Sequence, residues 1–350
     1  MSLKSLKASE RSVHTQPTWL AEIFGIDLPP EGEVVNIDGK PFIQKAGILR
    51  AKSLSSESQK QTEESFGFKW KKRETFDSEA SLSRMRQWLL ERYGDVCNAE
   101  WWSSYGDRPL LLDAGCGAGM SGIELFKDVL KNVRYLGADI SEAVDVAAAR
   151  FSEMGYKGGF IQADITDLPI PEGTVDVIFS EGVLHHTDST ENAVKKLAVL
   201  LKPNGRFLFY VYKRKGPVRE FTDDYIRGKL QDLTPEEAWD KMIPITKLGM
   251  ELGRLDITLD IPDEIELLEI PAGKIDLQRL FYWHVFKAFY HPDLSMEEMN
   301  HINYDWYAPA NAYRQTIEEV RRWCDEAGMI IEREMIEDAG ITIIARKQDI

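Results

Sequence analysis

The sequence predicts an α/β chain built on a doubly wound, mostly parallel sheet of seven strands, with an N-terminal extension and a helical insertion. Three observations point there. Leu110, Leu111 and Leu112 read as a fully buried strand, and the chain then turns through Gly115, Gly117 and Gly119 into a helix-forming stretch. Further apolar runs at 133–139 and 159–164 end in the acids Asp139 and Asp164, a fourth strand lies in 175–186, and helical stretches alternate with them, the pattern of a parallel sheet. Near the end, the runs 329–335 and 341–346 are joined by a short link, which predicts an antiparallel hairpin.

Taken in order, the stretch from Thr18 to Phe24 suits a short helix, and 33–43 a hairpin turned by Asp38 and Gly39. The polar, serine-rich segment 51–64 has the composition of a mobile or weakly ordered piece. Phe66, Gly67, Phe68 and Trp70 follow it directly. Such a cluster is either a latch on one edge of the core or a lid that excludes water from a ligand. Residues 81–93 repeat apolar positions at helical spacing ahead of the first core strand. After the glycine loop, Ser141 is placed to cap one helix, 190–201 forms another before Pro203, and 205–212 is the fifth strand.

From Lys213 to Tyr313 there is no convincing strand; capping boxes at Thr234/Glu237 and Ser295/Glu298 mark helix starts. Large aromatics crowd this stretch and serve as its own core, as a dimer interface or as a substrate wall. Thr316 and Glu319 open the last helix. The expected division is an extension or lid at 1–80, a core at 81–212 and 314–350, and a substrate or oligomerisation insertion at 213–313.

The ligand of the glycine loop is narrowed by what the loop lacks. Met120 stands where a dinucleotide fingerprint needs its third glycine, and no lysine follows the glycines as a phosphate loop requires. Asp113 instead puts a carboxylate beside the turn, which suits a cationic ligand without phosphate; S-adenosylmethionine fits.

Composition sets outer bounds. The chain has 350 residues and a net charge of −15, which argues against a non-specific hold on nucleic acid, although the run Lys69–Arg73 is a local basic candidate. Cys97, Cys116 and Cys324 lie far apart, giving neither a disulfide framework nor a thiolate metal site. With no apolar run long enough to span a bilayer and no signal-peptide pattern, a cytoplasmic protein is expected.

The run Asp113–Gly119, Asp139, Asp164, the segment Ser180–His186 and the turn Leu201–Phe207 together resemble, in order and interval, the motifs of class I S-adenosylmethionine-dependent methyltransferases. The resemblance extends to a small-molecule subset carrying an Asp-Gly-x-Pro strand and a Phe-Gly-x-x-Trp element. The cysteines of that subset's zinc ribbon are absent here, so no metal is expected. The resemblance implies a Rossmann-like methyltransferase fold with S-adenosylmethionine as donor and S-adenosylhomocysteine as product. It implies cofactor contacts from Asp113, Gly115, Gly117, Asp139, Ile140, Asp164, Ile165, Ser180 and Glu181, and from Phe66 and Trp70.

His185 and His186 follow the fourth strand and are the candidate catalytic pair, His185 favoured; their other reading is as strand caps that move no proton. Tyr212, Tyr304, Trp306 and Tyr307 are the candidate substrate contacts. Methyl transfer to nitrogen, oxygen or carbon of a small molecule is the leading function, with no nucleic acid or membrane partner and a homodimer as one use of the insertion. An RNA or protein methyltransferase and a non-catalytic binder of the cofactor are the alternatives.

Overall fold

A computed structural model describes residues 14–51, 56–72 and 75–349. The N-terminal part holds α1 (Trp19–Phe24), β1 (Val34–Ile37), β2 (Lys40–Lys45), β3 (Ile48–Ala51), α2 (Glu57–Lys71) and α3 (Glu79–Tyr93). The alternating region follows as β4 (Leu110–Ala114), α4 (Met120–Phe126), β5 (Arg134–Asp139), α5 (Ala143–Glu153), β6 (Gly158–Gln162), β7 (Val175–Glu181), α6 (Thr190–Ala198) and β8 (Leu201–Tyr212). Then come α7 (Pro217–Leu230), α8 (Pro235–Arg254), β9 (Thr258–Ile261), β10 (Gly273–Asp276), α9 (Leu277–His284) and α10 (Met296–Tyr307). The chain closes on α11 (Ile317–Glu326), β11 (Met329–Ile336) and β12 (Gly340–Lys347).

The main sheet runs β1-β2-β3-β6-β5-β4-β7-β8-β12-β11. Neighbours from β3 to β8 are parallel, and β12 lies antiparallel between β8 and β11. Side chains alternate across the sheet: Leu110 and Leu112 enter the apolar cluster on one face and Leu111 the cluster on the other. Both faces are therefore covered, as the continuous leucine run predicted.

The sheet has ten strands rather than seven, because the N-terminal hairpin joins it. Its turn is the one read from sequence, with Asp38 at φ 51° and Gly39 at φ 78°. The missed strand is β3, only four residues long, whose Leu49 and Arg50 pair with Ile161 and Gln162. Phe42 is fully buried in the same cluster as Leu112, so the extension shares the core.

Three further expectations are corrected. The segment 51–64 is not weakly ordered where it is described. Ser56 caps α2 by accepting from the Gln59 N–H at 3.0 Å, and the helix buries a polar face whose Gln61 donates to the Ala308 carbonyl and whose Thr62 accepts from the Asn311 N–H. A face buried through amides and hydroxyls leaves no hydrophobic periodicity to read. Residues 52–55 of that segment lie outside the described residues. The insertion does hold strands, the isolated antiparallel hairpin of β9 and β10. Ser141, expected as a helix cap, stands one residue ahead of the N-cap Glu142, which makes no side-chain cap; its hydroxyl donates to Asp139 at 2.7 Å and accepts from the Ala143 N–H. The capping boxes at Thr234, Ser295 and Thr316 are all formed.

Candidate active site

The strands β4, β5, β6 and β7 point their carboxyl ends the same way, and the acids found at those ends converge on one cavity of about 670 Å³. That size lies within the range of small-molecule sites, ~300–1,000 Å³. At its inner end stand Asp113, Gly115, Gly117, Asp139, Ile140, Asp164, Ile165 and Glu181. Ser180 lies behind this wall, donating its hydroxyl to the Ala114 carbonyl at 2.8 Å and so tying β7 to β4.

The glycine loop is shaped for close approach. Gly115 and Gly117 have φ of 85° and 49°, and a Cβ on Gly117 would stand 3.1 Å from the Trp70 ring. Asp139 is held by three donors, the Gly117 N–H (2.8 Å), the Ser141 N–H (2.8 Å) and the Ser141 hydroxyl. A carboxylate has about four lone-pair sites, so one remains for a ligand hydroxyl. Asp164 spends one oxygen on Thr166, through its N–H and its hydroxyl, and keeps the other. Asp113 is buried and accepts from the Tyr135 hydroxyl at 2.6 Å; burial pushes its carboxyl up to about 7 against that hydrogen bond, helped by the charge of Asp139. Carboxylates beside a glycine cradle, none of them ion-paired among the described residues, fit the adenosine and the positive charges of S-adenosylmethionine. Asp139 and Asp164 would hold its polar edges and Asp113 would face its charged part.

The outer end of the cavity is walled by α2, α3 and the insertion. Phe66 and Trp70 both line it, and the Lys69 ammonium lies 4.7 Å and 4.0 Å from their ring centroids. Lys69 is not part of an exposed basic run: it is buried and ion-paired with Asp305, while Arg73 lies outside the described residues. Burial pushes the Asp305 carboxyl up, but the Lys69 ammonium, with His186 and Lys287, holds it well below the usual range.

The structure separates the two histidines. His185 is fully buried behind the wall, stacked on Tyr212 at 3.6 Å, with its Nδ1 accepting from the Tyr212 N–H. His186 lines the cavity. Its Nδ1–H donates to the Asn311 carbonyl at 2.6 Å, which leaves Nε2 as a lone-pair acceptor, buried and without a partner among the described residues. Burial draws its pKa down to about 4. The preference for His185 is thus reversed: the residue that faces the cavity is His186.

Of the candidate substrate contacts, Tyr212 lines the cavity, whereas Tyr304, Trp306 and Tyr307 turn into the core that joins β8 to the insertion. For two of them the polar atoms explain why: Trp306 Nε1–H and the Tyr307 hydroxyl both donate to Asp223, itself paired with Arg219 in the buried core. The residue between them, Asp305, is the one that reaches the wall. Sequence reading took Lys69 only as part of a basic run and missed Asp305 and His301; the one signal was a charge set among aromatics, Lys69 between Phe68 and Trp70 and Asp305 between Tyr304 and Trp306.

Arg92, from α3, braces the strand ends by pairing with Glu181 and Glu337, each at 2.7 Å, while the Tyr93 hydroxyl donates to Glu181 at 2.5 Å. No cluster that could hold a metal ion occurs among the described residues, and no helix of these residues is long and apolar enough to cross a membrane.

Residues 112–209 match the family model described as a methyltransferase domain. The chain is 33% identical over 107 residues to 27-O-demethylrifamycin SV methyltransferase of Amycolatopsis mediterranei (strain S699), covering 29% of this chain and 37% of that protein. It is 28% identical over 124 residues to a mouse tRNA (carboxymethyluridine(34)-5-O)-methyltransferase, covering 34% of this chain and 17% of that one. The chain thus spans less than two thirds of the length of these relatives. A solved structure of Burkholderia thailandensis 1,6-didemethyltoxoflavin-N1-methyltransferase, with 1,6-didemethyltoxoflavin and S-adenosylhomocysteine bound, is similar at 14% identity and a TM-score of 0.44, over 91% of this chain and 100% of that one. The match to the methyltransferase-domain model thus falls on the stretch from β4 to β8 that carries the glycine loop and the strand-end acids.

Proposed function

We propose that the whole chain transfers the methyl group of S-adenosylmethionine to a nitrogen, oxygen or carbon of a small molecule enclosed between the strand tips and the insertion. One observation carries this reading: a single cavity joins the strand-end carboxylates to an aromatic chamber roofed by α2 and the insertion. A chamber of that size encloses a small acceptor beside the cofactor rather than offering an open track for a polymer. When bound, the sulfonium supplies an already activated methyl group, so the protein's contribution is alignment and exclusion of water.

The chain's own residues divide that work. Asp113, Asp139 and Asp164 bind and orient the donor. Phe66 and Trp70 cover the glycine loop and keep it dry. His186 Nε2 accepts a hydrogen bond from the acceptor's N–H or O–H and so aims its lone pair. A group titrating near 4 is a weak proton sink but a well-defined acceptor across neutral pH. Asp305, held by Lys69, fixes the charge of the wall beside it.

The test is to incubate the full chain and labelled S-adenosylmethionine with a cell extract and to fractionate the products by size. Label in the small-molecule fraction is expected. Label in RNA or protein would overturn the small-acceptor reading, and label nowhere, with the cofactor bound, would make the chain a non-catalytic binder.

A further inference from the structure

We infer that the acceptor carries an anionic group, a carboxylate or a phosphate, and that Arg84, Arg279 and Lys287 form its seat at the insertion end of the cavity. This rests on the small-acceptor reading above and gives that acceptor a chemical class.

The three cations reach the cavity from different elements: Arg84 from α3, Arg279 from α9 and Lys287 from the segment after α9. The other two cations on the wall are already satisfied, Lys69 by Asp305 and Arg92 by Glu181 and Glu337. Among the described residues no carboxylate lies within 4.0 Å of Arg84, Arg279 or Lys287, in a chain where acids outnumber bases by 58 to 43. The acids that share the wall are spent elsewhere. Glu298 accepts from the hydroxyls of Ser78 and Ser81 and from the Ser295 N–H, and Asp338 stands exposed at the rim.

What the three groups do contact is aromatic. The Arg84 guanidinium lies 4.7 Å from the Phe289 ring centroid and has no hydrogen bond among the described residues. Arg279 lies 5.4 Å from Tyr282, and its guanidinium gives one long bond, 3.4 Å, to the Tyr290 carbonyl. The Lys287 ammonium, on a side chain only 7% exposed, lies 4.7 Å from Trp306. Ring faces offset part of the desolvation of a cation but leave its N–H donors idle. Burial accordingly lowers the pKa of Arg84, against Tyr282 and with Arg279 and Arg92 depressing it further, and brings Lys287 down to about 7 although Asp305 and Asp223, beyond ion-pair distance, pull the other way. Partly buried, mutually repelling cations with no ion-pair partner among the described residues are costly unless an anion arrives to pair with them. Two guanidinium forks and an ammonium match the oxygens of a carboxylate or phosphate, and the surrounding rings suit a flat or apolar body on the same molecule.

The test uses the full chain with S-adenosylhomocysteine at saturation and three probes: benzoate, inorganic phosphate, and benzamide as the neutral counterpart of benzoate. Calorimetric titration is expected to show saturable binding of at least one anion and none of benzamide. A preference for benzoate marks a carboxylate acceptor and a preference for phosphate a phosphorylated one. Arg84→Gln, and independently Lys287→Met, should each weaken the preferred anion by roughly tenfold or more with the affinity for S-adenosylhomocysteine unchanged. Arg84→Lys, which keeps the charge but loses the fork, should fall between. Absence of anion binding, equal binding of benzamide, or anion affinity untouched in both variants would overturn the seat. If S-adenosylhomocysteine itself fails to bind, the cofactor reading falls instead, and the anion titrations repeated without it still decide this one.

Discussion

Asp139→Ala is expected to weaken S-adenosylhomocysteine binding by about ten- to a hundredfold, the worth of hydrogen bonds to a charged group at 1.5–3 kcal/mol. The carboxylate sits at the tip of β5 and does two things at once. It fixes the glycine loop through the Gly117 N–H and the segment after β5 through Ser141, and it keeps a lone pair toward the cavity. Asp139→Asn separates the two roles in part, because the amide oxygen can still accept from Gly117 while the charge is gone and the Ser141 N–H loses its acceptor. Calorimetry on both variants, with circular dichroism to check folding, measures this. Affinity equal to the parent in both would remove Asp139 from the cofactor site.

The second large effect is expected at His186. His186→Ala should cut kcat by roughly a hundredfold, the scale on which ~1 Å of misplacement acts, and leave S-adenosylhomocysteine affinity unchanged. The pH dependence has a definite sign. With its pKa drawn down to about 4 by burial, His186 is neutral and able to accept a hydrogen bond at every pH above about 5. The contribution of His186 should therefore be flat from about pH 5 to 8 and fall only as acid protonates Nε2, so any limb near 7 belongs to Asp113 or Lys287, both of which burial brings to about 7. A limb near the ordinary histidine value of about 6.5 would show that another group governs the rate. His185→Ala is the control: it removes a ring packed on Tyr212 and is expected to act on stability rather than on this profile.

The parts of the fold legible in the sequence were those written in periodicity and turn chemistry. The leucine run at β4, the glycine loop, the acid-ended strands and the Asp38–Gly39 turn each state a local preference that the tertiary structure keeps. The parts that were not legible depend on long-range pairing. Nothing in Ile48–Ala51 announces that it will lie beside β6, and nothing in the serine-rich stretch before Phe66 announces a helix, since its buried face is secured by amide and hydroxyl contacts to residues 308–311.

The candidate site divides the same way. Side chains at strand tips could be assigned because the strand fixes where its last residue points. Side chains on the insertion could not, because a helix turn decides which of three adjacent residues reaches the wall. Tyr304, Trp306 and Tyr307 looked like pocket residues by chemistry, yet Asp223 claims the polar atoms of two of them, and Asp305 is left facing inward. Which histidine of the pair faces the cavity was likewise set by Asn311, 125 positions away in sequence.

Isothermal titration of the full chain with S-adenosylhomocysteine, alongside NAD and ATP, is the measurement on which the reading of the glycine loop stands. One saturable site for S-adenosylhomocysteine is expected, with the two pyrophosphate-bearing nucleotides failing to compete, since no phosphate cradle accompanies Asp113. Binding of either nucleotide in its place, or no binding of S-adenosylhomocysteine, would contradict it.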